Sequence, residues 1–310
     1  MPTPSDQTLA ASPSIIRPSK ITQRVSFLAF TGCHIAIPAA LWTGVSARSL
    51  ILAFCLYWMH MFAITGGYHR YFSHRTYKTS RWFQFVLAWF GTMTVQKGPI
   101  WWAGKHRHHH KHSDLEDDVH SPRQKGFYYS HIGWILSAEH VETDLRVVKD
   151  LVKFPELVWI GKYHWIAPSL MGIGAFLLDG WRGFFVGAGW ALVAAWHCTF
   201  AINSVTHLIG SRRYKTADDS RNNFLTALLT MGEGWHNNHH HYQHTVKQGF
   251  FWWEIDMTYY VLRALAAVGI VWDLKMPPAR VLAKEAMSPE PFSIGAGVGA
   301  AVAEPEPEPA

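Results

Sequence analysis

Cysteine is scarce in this chain: three residues in 310, Cys33, Cys55 and Cys198, each inside an apolar run and none at metal-ligand spacing from another. That excludes a disulfide scaffold and a cysteine-based zinc site, and the three thiols are expected to be buried and reduced. Charge is scarce too. Asp, Glu, Lys and Arg make up 16% of the residues, against roughly 25% in soluble globular domains, which argues against intrinsic disorder and against a nucleic-acid-binding arm. Glycine, at 24 residues, is far below the one in three of a collagen-like fibre. What the chain has instead is 20 His, 16 Trp, 18 Phe and 11 Tyr, with 49% hydrophobic residues overall. Very apolar stretches alternate with histidine-dense ones.

A bilayer-spanning helix needs about 20 mostly apolar residues. Four stretches qualify, at about 25–42, 49–68, 160–178 and 184–203. The first two are joined by a few residues around Gly44 to Arg48, the last two by Asp179-Gly180-Trp181-Arg182, so each pair reads as a helical hairpin that returns to its starting side. Of 28 Lys and Arg, the two tight connections hold one each, Arg48 and Arg182. Lys and Arg accumulate on the cytoplasmic side of short loops. Both termini and the segment between the hairpins are therefore expected to be cytoplasmic, and the net charge of +6 is a matter of topology. The stretches 82–95 and 250–272 are apolar but too short or too interrupted to span, and are expected to lie as amphipathic helices at the cytoplasmic interface. Residues 1–24 read as a polar cytoplasmic tail with no cleavable signal peptide. Residues 25–280 read as the membrane and cap domain, and 281–310, ending in a Glu-Pro repeat, as a disordered tail.

The clustered histidines all fall in segments expected to be cytoplasmic. His69 and His74 follow the second span; five residues apart on an ideal α-helix they would point about 140° away from each other and flank a site, unless the helix ends between them. His106, His109 and His110 have the spacing i, i+3, i+4, which shares one helix face and lets all three converge on a point. His236, His239 and His240 repeat that spacing. Asn203 and His207, at i and i+4, close the fourth span, where polar side chains are costly without partners. Nine histidines plus Asn203 exceed the four to six ligands of one first-row metal, so two metals are expected. Imidazole suits Fe, Zn, Cu and Ni alike, and spacing selects none of them. His108, His112, His241 and His244 fall off these faces or beyond the pattern, and His34, His60, His120, His131, His140, His164 and His197 are left without a role.

The boxes His69-Arg70-Tyr71-Phe72-Ser73-His74, His106-Arg107-His108-His109-His110 and Gly234-Trp235-His236-Asn237-Asn238-His239-His240 resemble those of the membrane-bound fatty-acyl desaturases. The resemblance is to the stearoyl-CoA desaturase-like group that introduces a double bond at carbon 9, and runs over roughly residues 25–275. It includes Asp118-Val119-His120, Gly126 to Trp134 and Asn203 to Leu208. It implies an all-α integral membrane fold: four transmembrane helices in two hairpins, with a helical cytosolic cap holding a dimetal site. It implies two irons held by His69, His74, His106, His109, His110, His207, His236, His239 and His240, with Asn203 acting through water, and no catalytic residue apart from these ligands. Zinc, being redox-inactive, could only be an artefactual substitute. The resemblance also implies O2 as co-substrate, an external redox protein of ferredoxin, rubredoxin or cytochrome b5 type, and a tunnel bend at Trp102 and Thr199. His120 and His131, in family-like stretches, would support the ligands.

One departure bears on the substrate. Ala138-Glu139 and Gly104-Lys105 stand where acyl-CoA-specific members carry Arg-Lys and Arg-Asp pairs, so a CoA phosphate would lack those cations. An acyl-lipid substrate is therefore weighed beside acyl-CoA. Two other functions are open to such a chain. A membrane lipid or alkane hydroxylase would use similar metals but insert oxygen. A membrane metal transporter would place its ligands near the bilayer midplane on broken helices.

Overall fold

The computed structural model describes residues 27–28, 30–283 and 287–295. The expected N-terminal tail and the Glu-Pro run lie outside the described residues. After a helical stretch at 30–34, α1 (Ala36–Thr43) stops at Gly44, whose φ of 73° supplies the left-handed cap that a side chain would resist. α2 (Ala47–Phe62) opens on a capping box in which Ser46 Oγ accepts the Ser49 N–H and Ser49 Oγ accepts the Ser46 N–H. It continues without a break into a wide-turned π segment, Ala63–Ser73. β1 (Lys78–Thr79), α3 (Arg81–Met93) and α4 (Pro99–His112) follow, the last opened by a proline that needs no amide partner in the first turn.

α5 (Pro122–Tyr128) bends at Gly126, and α6 (Pro155–Lys162) precedes the longest apolar run. That run comprises α7 (Ile166–Arg182), a second π segment (Gly183–Trp190), α8 (Ala191–Ser204) and a tight turn at Val205–His207. Beyond it come β2 (Ile209–Tyr214), α9 (Phe224–Leu229), α10 (His236–His241), α11 (Met257–Ala267), β3 (Val271–Trp272) and β4 (Met287–Ile294).

Among the described residues, two helical runs are long and apolar enough to cross a membrane, Ala47–Ser73 and Ile166–His207. The second has 42 residues, about 63 Å of helix and twice the hydrocarbon thickness of a bilayer. It doubles back at Asp179 and Gly180, whose backbone leaves the helical region. Gly183 then lies against the Ala175 carbonyl and Gly172 against the Phe184 ring, approaches that a Cβ at either glycine would crowd. Ser46, in the first tight connection, donates its hydroxyl to Asp179 in the second. Both connections therefore sit at one end of the bundle, and the helix ends carrying His69 and His207 are at the other.

Several boundaries differ from expectation. The third helix starts at Ile166, because residues 155–162 form the separate helix α6, closed at Tyr163 (φ −109°, ψ 37°). Only Met257–Ala267 of the stretch 250–272 is helical; Asp256 caps it by accepting the Tyr259 N–H, and Val271–Trp272 pairs as β3 with β1. The expected disorder of 281–310 does not extend to residues 287–294. These pair antiparallel with β2, Ile209 opposite Ile294 and Tyr214 opposite Met287, and a two-stranded sheet tolerates Pro289 and Pro291 because β4 is an edge. The cysteines are free, but Cys55 is exposed on the outside of the bundle, where a membrane protein presents apolar groups. α3 and α11 pack against the first π segment around Tyr68, Phe72, Leu87 and Leu262.

Candidate metal centre

Helix geometry decides how the histidines meet. In the first π segment the His74 amide bonds to the His69 carbonyl, an i→i+5 bond. The wider turn returns residue i+5 to the same side, so His69 and His74 do not flank a site. Their Nε2 atoms face each other at 3.1 Å. Five Nε2 atoms close a ring: His69 to His239 at 3.1 Å, His239 to His110 at 2.9 Å, His110 to His106 at 3.0 Å, His106 to His74 at 2.7 Å, and back to His69. Nitrogens bonded to one metal at about 2.1 Å and subtending a right angle lie about 3.0 Å apart.

The remaining four histidines, His109, His207, His236 and His240, form a second group beside the first. His207 and His236 bring their Nε2 atoms to 3.1 Å, and the His110 and His240 rings are 4.5 Å apart across the two groups. The i, i+3, i+4 triplets therefore do not each converge on one point. His106 and His110 serve the first group while His109 serves the second; His236 and His240 serve the second while His239 serves the first. Each triplet straddles both groups because residues at i and i+4 stand over one another, whereas i+3 lies to one side.

The outer nitrogens explain why the inner ones are free to bind. His109 Nδ1–H donates to Asp118 at 2.8 Å, His207 to Asp114 at 2.8 Å, His240 to Asp218 at 2.6 Å and His69 to Glu233 at 2.5 Å. A ring protonated on Nδ1 presents a lone pair on Nε2, and carboxylate partners both orient the ring and raise its basicity as a ligand. Burial, reinforced by neighbouring imidazoles, holds His106, His110, His236 and His239 well below the ordinary histidine range, so these rings are neutral at pH 7. Burial would raise the carboxyls of Asp114, Asp118 and Asp218. Their paired imidazoles and further hydrogen bonds outweigh it and hold all three below the usual carboxylate range.

The residues fit two metal ions: Nε2 of His109 and of His240 are buried with no hydrogen-bond partner and point among other imidazoles. An unpartnered buried nitrogen is costly unless something accepts its lone pair.

The carboxylates were not singled out from the sequence, although Asp118 lies in a family-like stretch and Glu233 directly precedes the third box. A buried Arg70 braces Glu233 at 3.0 Å and Asp256 at 2.9 Å, which ties the first box to the third. His120 packs on His109 with ring centres 4.2 Å apart and could join Asp118 around it. His131 lies further out, between Ser204 Oγ at 2.9 Å and His197 at 3.1 Å, and His197 in turn faces His34. His108 and His112 contact backbone carbonyls outside both groups, and His241 stacks on Tyr214.

A cavity of about 1650 Å³ reaches the metal centre, larger than the roughly 300–1,000 Å³ of ordinary small-molecule pockets. At its inner end stand His106, His120 and Asn203; its far end reaches Trp181 and Phe184 beside the Asp179–Gly180 turn. Trp102 and Thr199 both line it, Trp102 stacked on His106 at 5.0 Å and Thr199 donating its hydroxyl to the Ala195 carbonyl. Gly104 faces Thr143, whose Cγ2 would lie 2.5 Å from an added Cβ. A cationic side chain at position 104 has no room unless Thr143 moves.

Paired helical runs with two histidine groups at their common end, opening on a long apolar cavity, define a membrane-type protein built for metals and a long apolar ligand. Residues 15–273 match the fatty acid desaturase family. The chain is 38% identical over 256 residues to an sn-1 stearoyl-lipid 9-desaturase of Anabaena variabilis, covering 81% of this chain and 93% of that one. It is 35% identical over 280 residues to an sn-1 stearoyl-lipid 9-desaturase of Synechocystis (89% and 88%), and 40% identical over 228 residues to an icosanoyl-CoA 5-desaturase of Limnanthes douglasii (69% and 61%). The chain belongs to the fatty acid desaturase family and is an oxidoreductase.

Proposed function

We propose that the protein inserts a cis double bond at the delta-9 position of a saturated acyl chain carried as acyl-lipid or acyl-CoA, using two irons held by the nine histidines. The observation that carries this is the split of nine imidazoles into groups of five and four, one of which, His106, stands in the wall of a long apolar cavity. The irons, when bound, supply the redox chemistry by which O2 takes two hydrogens from adjacent methylenes. The balance needs two electrons and two protons from outside and yields two waters. Asn203, on the cavity wall four residues before His207, would hold a water toward the four-histidine group. The Trp102 ring over His106 and Thr199 on α8 set where the chain bends, and so which carbons reach the metals. Zinc would occupy the same imidazoles without supporting turnover.

The bundle is read as four transmembrane passes in two hairpins, with both termini and the metal-bearing cap cytoplasmic. Electrons come from an external redox protein. A polar cleft of about 500 Å³ supports its approach from the cap side: two ligands of the five-histidine group, His74 and His110, are in its wall, among Arg75, Arg107, Lys111 and Lys275. The metal-transporter reading is disfavoured because the histidines gather at helix ends rather than midway along them. Expression in a host lacking delta-9 unsaturation, followed by lipid analysis, tests the proposal. New 9-unsaturated chains are expected, lost on His110→Ala or His239→Ala with protein still in the membrane. Hydroxylated chains without a new double bond would instead establish a hydroxylase.

A further inference from the structure

The cavity described above has a cationic stretch whose members are not among the proposed metal ligands. Lys97, Lys105 and His164 all line it, with Lys162 exposed at its rim. They arrive from three places: the loop between α3 and α4, the middle of α4, and the segment between α6 and α7. Lys97 is central. Its Nζ lies 4.1 Å over the Trp101 ring; it feels the charge of Lys105, and its own charge is felt by His164. Among the described residues no carboxylate pairs with Lys97. Of the acids nearby, Glu142 acts on Lys105 within the set, and Glu139 is exposed and lies 3.6 Å from Lys125. Burial and the neighbouring Lys105 push the Lys97 ammonium down to about 8, and an anion beside it would offset both effects.

The backbone around Lys97 is built to hold it there. Val95 (φ 58°) and Lys97 (φ 62°) are both left-handed without being glycine, an unfavourable arrangement that persists only where surroundings enforce it. Four contacts do so. The Tyr68 hydroxyl donates to the Lys97 carbonyl at 2.9 Å, Trp196 Nε1–H donates to the Thr94 carbonyl at 2.6 Å, and Trp102 Nε1–H donates to Gln96 Oε1 at 3.3 Å. Gly98 rests against Gly161, with no room for a Cβ. Tyr68 and Trp102 are neighbours of the metal centre, so the same side chains that set the inner end of the cavity set the position of the lysine.

We infer that Lys97, with Lys105 and His164, forms a phosphate-reading subsite in the cavity, so that the protein favours acyl chains whose carrier bears a phosphate. The inference rests on the desaturase reading for the acyl chain itself, but the cation set is independent of the metal ligands. A phosphodiester lipid and CoA share this chemistry; a galactolipid does not. The positions at which acyl-CoA-specific relatives carry cations are Gly104-Lys105 and Ala138-Glu139 here, and Lys97 and His164 would supply charge from a different side of the cavity.

The test is equilibrium binding to the full chain purified in detergent, metal-free, of three ligands with the same stearoyl chain: lysophosphatidylglycerol, CoA thioester and monogalactosylglycerol. Charge-assisted hydrogen bonds to phosphate predict about ten- to hundredfold tighter binding of one or both phosphate-bearing ligands than of the galactoside. Lys97→Gln should erase that margin while leaving galactoside affinity unchanged, and Lys97→Arg should keep it. Should Lys97→Gln fail to fold, Lys105→Gln is read the same way. Tighter binding of the lysolipid identifies a lipid carrier, and of the thioester a CoA carrier; either supports the subsite. Equal or tighter galactoside binding by the wild-type chain, or equal weakening of all three ligands in Lys97→Gln, overturns it. Because binding is read without metal, a loaded enzyme that desaturates nothing would count against the desaturase reading and leave this measurement standing.

Discussion

Asp114 offers a way to remove one metal and leave the other. It belongs to none of the histidine boxes, is 2% exposed, and follows α4 in a left-handed backbone conformation (φ 58°). Its Oδ2 accepts from His207 Nδ1–H and from the Asp219 amide, both at 2.8 Å, and its Oδ1 accepts from the Ser121 hydroxyl at 2.6 Å. Asp114→Asn is nearly isosteric. Its oxygen can keep both bonds of Oδ2, its NH2 can donate to Ser121, and asparagine tolerates a positive φ. What is lost is the charge that makes Nε2 of His207 a better donor to metal. Replacing a charge-assisted bond by a neutral one costs about 1–1.5 kcal/mol, roughly a tenfold fall in affinity for the metal of the four-histidine group. Asp114→Ala also loses the orientation of His207 and strains the left-handed backbone, so the fall should approach a hundredfold. Metal stoichiometry under a competing chelator, measured by elemental analysis, should drop from two toward one in Asp114→Asn. The mirror variant, Glu233→Gln, should lower affinity at the five-histidine group instead. If Asp114→Asn retains both metals as the wild type does, or loses both together, the division of labour between the carboxylates is wrong.

Three further outcomes are expected. His108→Ala and His112→Ala should leave metal content and product formation near wild type, while His106→Ala and His110→Ala should lose both, since only the latter pair faces the Nε2 ring; equal losses in all four would contradict the assignment. Gly91→Ala should destabilise the protein by about 1–3 kcal/mol in thermal unfolding, because an added Cβ would lie 2.1 Å from the Tyr68 ring; an unchanged melt would show that the ring can move. Metal-free protein should lose stability between about pH 7 and pH 5. His106, His110, His236 and His239 titrate below the ordinary range when folded, so the unfolded chain binds the extra protons below about pH 6.5, worth about 1.4 kcal/mol per pH unit for each histidine. A melting temperature that is flat over that interval would show that these rings are not buried and neutral.

Much of this protein was legible in the residue order. The apolar runs, the tight connections and the histidine spacing are local properties, and both the membrane character and the set of nine histidines follow from them. The pairing of those histidines was not legible, for two reasons rooted in geometry. The separation of His69 and His74 means divergence on an α-helix and convergence on a π-helix, and nothing in Ala63 to Ser73 announces which backbone they adopt. Each i, i+3, i+4 triplet offers one face, but which histidine group each of its rings joins depends on the crossing of α4 and α10, elements more than 120 residues apart. The same holds for Asp114, Asp118, Asp218 and Glu233, which look like ordinary surface acids until the fold buries each against an imidazole nitrogen. The chain by itself determined which side chains are available and on which helical elements they ride. Only tertiary packing decided which nitrogen meets which, because a metal site is made by the distances between elements and those distances are not written along the chain.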